Sequence, residues 1–249
     1  MIAVPAFRGF VKIFVIICAA VFALEQFAQV STFARHDLFN QLLRFLGLVP
    51  ELFFQGMIYQ AVTWLFIHWS LWHLLFNMLA FWMFGSLLQD LIGDRRFATF
   101  TLLSGAITGV LVATIGLFDA SMYSIPTIGA SGVVFALLVA VARIFPNQVV
   151  LFMFIFPMKM RYFALLLLGI EFLALNSSNN HGISNTAHLS GAAVGYFYAS
   201  WFMSRTPSSG SQSGGGILDW FKRMRENARQ RKLRKRLRIV RAEETKRWN

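Results

Sequence analysis

Residues 68–92 read HWSLWHLLFNMLAFWMFGSLLQDLI. From Leu71 to Ile92 the run is mostly apolar and long enough to cross a bilayer, which takes about 20 such residues. It opens on three polar side chains, His68, His73 and Asn77. Groups of that kind are costly in hydrocarbon and are functional candidates wherever they occur there. His73 and Asn77 are four residues apart, so in a helix they share one face.

Five further segments qualify as spans by the same apolar-run criterion: roughly 9–29, 97–118, 129–145, 160–177 and 186–204. The composition agrees. Of 249 residues, 57% are hydrophobic and only 14% charged, against about 25% charged in soluble domains. A water-soluble globule could not cover that much apolar surface, and a single cysteine, Cys18, excludes disulfide stapling within the chain. The expected fold class is an all-α membrane protein, a bundle of six transmembrane helices over residues 1–205. Arg8 and Lys12 ahead of the first run also fit a signal peptide. Six spans are preferred, because both termini then fall on one side and 21 of the 23 Lys/Arg lie at the cytoplasmic face, leaving Arg35 and Arg44 opposite.

Residues 205–249 hold 14 Lys/Arg and 4 Asp/Glu, so most of the net charge of +12 belongs to the tail. Residues 206–216 (TPSSGSQSGGG) form a flexible linker, and 217–249 a basic cytoplasmic tail in which Ile217, Phe221, Met224 and Ala228 fall at helical spacing. Such a helix suits anionic lipid headgroups, and nucleic acid is not expected as a partner. The loop from about 30 to 70 is long but rich in Phe and Leu, which suggests short amphipathic helices in the outer interface.

Two more segments carry unusual polar groups: GASG at 129–132, opening the fourth span, and AHLSGAAVG at 187–195 in the sixth. Glu171 lies in the fifth. Taken singly these have plain readings, such as interhelical glue for His73 and Asn77, or a small-residue packing contact for Ser131. Gly191 and Gly195 form a G-x-x-x-G face that lets two helices approach closely. Together they meet the needs of serine hydrolysis: a nucleophile, a base and oxyanion donors. Ser131 would be the nucleophile and His188 the base. His73, Asn77 and the Ser131 backbone N–H, free in the first turn of a helix, would bind the oxyanion. No aspartate lies in a span near His188, so a dyad held by packing is expected rather than a triad. The rival is a metal site built from scattered histidines, but no H-E-x-x-H or cysteine pair is present, and no metal or cofactor is expected. A transporter using intramembrane His and Glu171 would favour paired discontinuous helices in matching halves, and none is evident.

At these residues the sequence resembles the rhomboid family of intramembrane serine proteases, from about Met57 to Ala199 (core about 57–199). The resemblance rests on H-x4-H-x3-N at His68, His73 and Asn77, on GASG at Gly129–Gly132, on AH-x2-G-x3-G at Ala187–Gly195, and on FPMKMRY at Phe156–Tyr162. It implies an endopeptidase that cuts transmembrane segments of other membrane proteins, with Ser131 and His188 catalytic, and it suggests a bacterial inner membrane. It also implies His73, Asn77 and Ser131 as oxyanion binders, with His68 in a water-accessible cavity. Gly129, Gly132, Gly191 and Gly195 would support the site. The alternative is a non-catalytic rhomboid-like protein that binds membrane clients, against which an intact Ser131 and His188 argue. Two departures stand out: Tyr59-Gln60-Ala61-Val62-Thr63 where Trp-Arg is frequent in the first loop, and Gln89 where a Glu commonly begins an E-x3-G element, with Gly93 retained. Both bear on loop docking or scaffold stability.

Overall fold

The computed structural model describes residues 5–30, 37–152, 155–175 and 183–205. The linker 206–216 and the basic tail 217–249 lie outside them, as do His36 and His181. Six helices of 14 to 23 residues form the frame: α1 (Gly9–Val30), α5 (Leu71–Ile92), α6 (Asp94–Gly116), α8 (Ser131–Ile144), α9 (Met160–Leu175) and α10 (Ile183–Arg205). They coincide with the six apolar runs to within a few residues. In α1, α5 and α6 the helix is long and apolar enough to cross a membrane by length and composition.

Local chemistry explains the boundaries. Ser70 caps α5, its hydroxyl accepting from the His73 amide at 3.2 Å. Gly93, at φ +85°, permits the abrupt reversal between α5 and α6, so α6 begins at Asp94 rather than near 97. Short helices fill the long loop as expected: α2 (Asp37–Leu46), α3 (Pro50–Phe54) and α4 (Gln60–Thr63), followed by a 3-10 turn at Trp64–Phe66. They do more than lie in an interface. Gly105 and Gly116 of α6 receive Leu65 and Pro50 closer than a Cβ at those glycines would permit, and Gly109 receives Trp64 and Ala61 in a contact that a Cβ would make tight. A further helical turn, α7 (Ala120–Tyr123), precedes the loop into α8.

One feature departs from an all-α reading. Val149–Phe152 (β1) and Phe156–Lys159 (β2) pair antiparallel, with Val150 opposite Met158. The run VVLF falls between the fourth and fifth apolar runs, where Pro146-Asn147 ends α8 and β-branched Val149 and Val150 favour extended backbone.

Both departures from the family pattern have structural answers. Gln60 is fully buried: its Oε1 accepts from the Val49 amide at 3.0 Å and its Nε2 donates to the Arg44 carbonyl at 2.7 Å. Thr63 adds a 2.6 Å bond to the Leu46 carbonyl, so α4 pins the end of α2. Gln89 Oε1 accepts from the Val11 amide at 2.9 Å, and its Nε2 donates to the Arg8 carbonyl at 3.0 Å. An amide can do both where a carboxylate could only accept. It thereby satisfies one orphan N–H in the first turn of α1, beside the Arg8–Asp90 ion pair at 2.6 Å.

The core runs through the bundle axis. Phe14 of α1 stacks on Phe81 of α5 at 4.3 Å, and α8 is buried on nearly every side. The α8–α10 contact is very close: a Cβ on Gly191 would run into the Gly132 carbonyl, and one on Gly195 into that of Ala136. This is the close approach that G-x-x-x-G allows.

Candidate active site

The segment leading to Ser131 is held from three directions. Leu48 and Thr127 exchange backbone hydrogen bonds at 2.9 and 2.8 Å. The Gly129 amide donates to the Trp64 carbonyl at 2.9 Å. The Ala130 amide donates to Nε2 of His68 in a long bond of 3.5 Å. Ser131 is then the first residue of α8. The first intrahelical bond runs from the Val134 amide to the Ala130 carbonyl, which leaves the Ser131 N–H without an i−4 partner.

His73 packs directly on this turn. Gly129 sits at φ +110°, and a Cβ there would fall 2.7 Å from both Cε1 and Nε2 of His73, so glycine is required by conformation and by space. The Trp69 amide donates to His73 Nδ1 at 3.4 Å. A neutral ring that accepts at Nδ1 carries its hydrogen on Nε2, the atom facing the Gly129 turn. Asn77 is buried one turn deeper, and its Nδ2 donates to the His73 carbonyl at 2.9 Å. That bond uses one amide hydrogen and leaves the other.

His188 reaches the same place from α10. Gly132 lies against Ala187 and Gly191, which sets Ser131 and His188 at one level of the α8–α10 contact. Phe135, one turn after Ser131, stacks on the His188 ring at 4.5 Å and 13°. Among the described residues no hydrogen bond joins Ser131 to His188. Ser131, His73 and His188 are all partly exposed, while Ala130 and Asn77 behind them are buried. The site therefore opens outward from a closed floor.

Two findings revise the sequence reading. First, His68 does not face a water-accessible cavity: it is fully buried, with Nδ1 3.2 Å from the Phe66 carbonyl and Nε2 taking the Ala130 amide. Both ring nitrogens are committed to backbone, so His68 clamps the loop before Ser131. Second, His188 does have a carboxylate beside it: Glu171 Oε2 lies 2.9 Å from its Nδ1. Glu171 stands on the neighbouring helix, where no aspartate is available. Phe135 was missed as well, although its i+4 spacing from Ser131 signals a shared face.

The burial of His68 has a pH consequence. Burial first, and the facing His73 ring at 5.1 Å second, push its imidazole from the ordinary 6.5 down to about 4. Glu25 of α1 also lies against the His68 backbone. Between about pH 4 and 6.5 the unfolded chain binds a proton here that the folded chain does not. The stability contributed by neutral His68 is thus complete above pH 6.5 and lost as the pH falls towards 4, an effect on the order of 3 kcal/mol. Melting curves in detergent at pH 7 and pH 4.5 should show a smaller acid-induced drop for His68→Gln than for the wild type. Equal drops would remove His68 as the acid-labile clamp.

Comparison with known proteins places this arrangement. Residues 55–205 match the family model for the Rhomboid domain, a range that includes His68, His73, Asn77, Ser131, Glu171 and His188. The chain is 32% identical over 142 residues to Rhomboid protein 1, mitochondrial, of Saccharomyces cerevisiae, covering 56% of this chain and 40% of that protein. It is 30% identical over 145 residues to the Rhomboid protease GluP of Bacillus subtilis, covering 58% and 26% respectively. It is 29% identical over 140 residues to the human Presenilin-associated rhomboid-like protein, mitochondrial, covering 55% and 36%. The matched region thus spans less than half of each of these relatives. With the domain match extending over more than half of the chain, this membrane-embedded helical protein belongs to the rhomboid family.

Proposed function

We propose that the chain is an intramembrane serine endopeptidase that cleaves transmembrane segments of other membrane proteins. The observation that carries this reading is the convergence at the start of α8. Ser131, whose backbone N–H has no i−4 partner, follows the Gly129 turn on which His73 packs and stands one turn before Phe135, on which His188 stacks. One of the relatives, GluP, is named a protease.

The mechanism follows from what each group can do. His188 accepts the Ser131 hydroxyl proton as Oγ bonds to the substrate carbonyl carbon. The carbonyl electron pair moves onto oxygen, where the Ser131 N–H and the Nε2–H of His73 can donate to it, with the remaining Asn77 amide hydrogen as a third candidate. Collapse expels the amine, which takes the proton back from His188. Water then releases the acyl group by the same route.

The length of α8 bears on depth. Its 14 residues span about 21 Å, short of a hydrocarbon core about 30 Å thick. With Arg143 near the cytoplasmic boundary, Ser131 lies below the outer surface, where the partly exposed site would admit water. Both termini lie in the cytoplasm on this reading, and the basic tail 217–249 adds attachment to anionic lipid.

A helix must expose a carbonyl before any serine attacks it, because its own hydrogen bonds shield the backbone. Substrates are therefore spans with Gly or Pro near their outer end. Reconstituted protein should cut such a peptide in liposomes and should fail when those residues are replaced by Leu. Equal cleavage of both peptides would refute the unwinding requirement, and no cleavage of a panel of such peptides would count against the protease reading.

A further inference from the structure

We propose that Glu171 is a positioning residue for His188, so that the site works as a Ser–His–Glu relay rather than as an unsupported pair. This rests on the protease reading above and deepens it. Glu171 Oε2 lies 2.9 Å from His188 Nδ1, and the same oxygen accepts from Asn185 Nδ2 at 2.6 Å. Asn185 is buried in the first turns of α10, so the carboxylate is held from the helix that carries the histidine it faces. Both Glu171 and His188 side chains keep only 17% and 16% of their exposure.

A carboxylate in a span is costly and persists where it has a partner. Here the partner is the nitrogen of His188 that the serine does not need. A carboxylate only accepts, so its neighbour at Nδ1 must be an N–H, and in a neutral ring the lone pair then sits on Nε2. That is the tautomer a general base requires. Phe135 fixes the plane of the ring by stacking, and Glu171 fixes its rotation about that plane. When the Ser131 proton moves to Nε2, the imidazolium formed has its Nδ1–H against a negative charge. The proton returns from Nε2 to the leaving amine, and Glu171 stays ionised throughout.

In the resting structure the two groups sit at ion-pair distance, and Nδ1 makes no aligned hydrogen bond. Catalytic hydrogen bonds are often poorly aligned before substrate binds and tighten afterwards. Glu171 lies in the last turns of α9, which packs on α10. Among the described residues Glu171 makes no hydrogen bond to the turn that holds Ser131, so its loss should act through His188 and Asn185 of α10.

The test is the rate at which a fluorophosphonate–rhodamine probe labels the full-length protein in phosphatidylcholine–phosphatidylglycerol liposomes, with kcat and KM for a Gly/Pro-containing transmembrane peptide. Glu171→Gln keeps the shape and removes the charge. It should lower the labelling rate and kcat about 10²-fold, less than the ~10⁴-fold loss in a fully buried triad, with KM unchanged. Glu171→Asp should recover most of that loss. Labelling of Glu171→Gln within about threefold of wild type, while Ser131→Ala stays unlabelled, would overturn the role of Glu171 and leave the protease reading standing. Labelling of Ser131→Ala at the wild-type rate would overturn both. A measurement on unsubstituted catalytic residues guards against misfolding of the variants. The ¹⁵N shifts of the His188 ring, assigned by their loss in His188→Gln, should show hydrogen on Nδ1. Hydrogen on Nε2 instead would overturn the proposal.

Discussion

Replacing Ser131 with alanine is expected to abolish cleavage, by at least about 10⁴-fold, and His188→Ala should do the same. The double variant should be no worse than either single one, because a nucleophile and its base act as a unit. The structural cost of Ser131→Ala is small, because the N-cap of α8 is Ala130 and the Ser131 side chain does not cap its helix. His188→Ala also takes away the partner of Glu171 and the ring stacked on Phe135, so its melting is compared separately with that of His188→Gln. Loss of activity in samples that melt with the wild type would therefore report chemistry. The check is a single-turnover cleavage rate in liposomes for all three variants. Additive losses would mean that the two residues serve different steps.

The second large effect is expected at a residue that touches no substrate. Gly195→Val would drive a side chain into the backbone of Ala136, the residue after Phe135. Backbone cannot rotate away as a side chain can, so α10 must move out from α8. Overpacking of this kind costs about 1–3 kcal/mol, and a shift of about 1 Å between reacting groups can cost 10²-fold in rate. Activity should fall at least that far while Ser131 and His188 remain in place. Gly169→Val is the control. Gly169 lies on the exposed face of α9 with nothing near its missing Cβ, so this variant should cleave and melt like the wild type. A Gly195→Val protein with full activity would show that the α8–α10 contact does not set the distance between the pair.

What the sequence made legible, and what it hid, follows from range. His73, Asn77, Ser131, Gly132, His188, Gly191 and Gly195 are polar or small residues where hydrocarbon should be, and helical spacing groups them by face. Glu171 has the same oddity, but its partner His188 lies on the next helix, and no spacing rule connects α9 to α10. The roles of Gln60 and Gln89 are long-range as well. Gln89 serves Arg8 and Val11 across about 80 positions, so its departure from the family pattern reads as a loss until the bond partners are seen. His68 misled for a different reason. Its place in a water-accessible cavity was implied by the resemblance alone, yet the β-like backbone after Phe66 turns the ring inward to Phe66 and Ala130. The β1–β2 ribbon was hidden because its apolar residues continue the composition of α8.

The most direct test of the central claim is where a fluorophosphonate probe attaches. An activated serine reacts with it and an ordinary serine does not. Peptide mapping of the labelled wild-type protein should place the adduct on Ser131, with none in Ser131→Ala and strongly slowed labelling in His188→Ala. An adduct on another serine, or no adduct in protein that cleaves its substrate, would contradict the account.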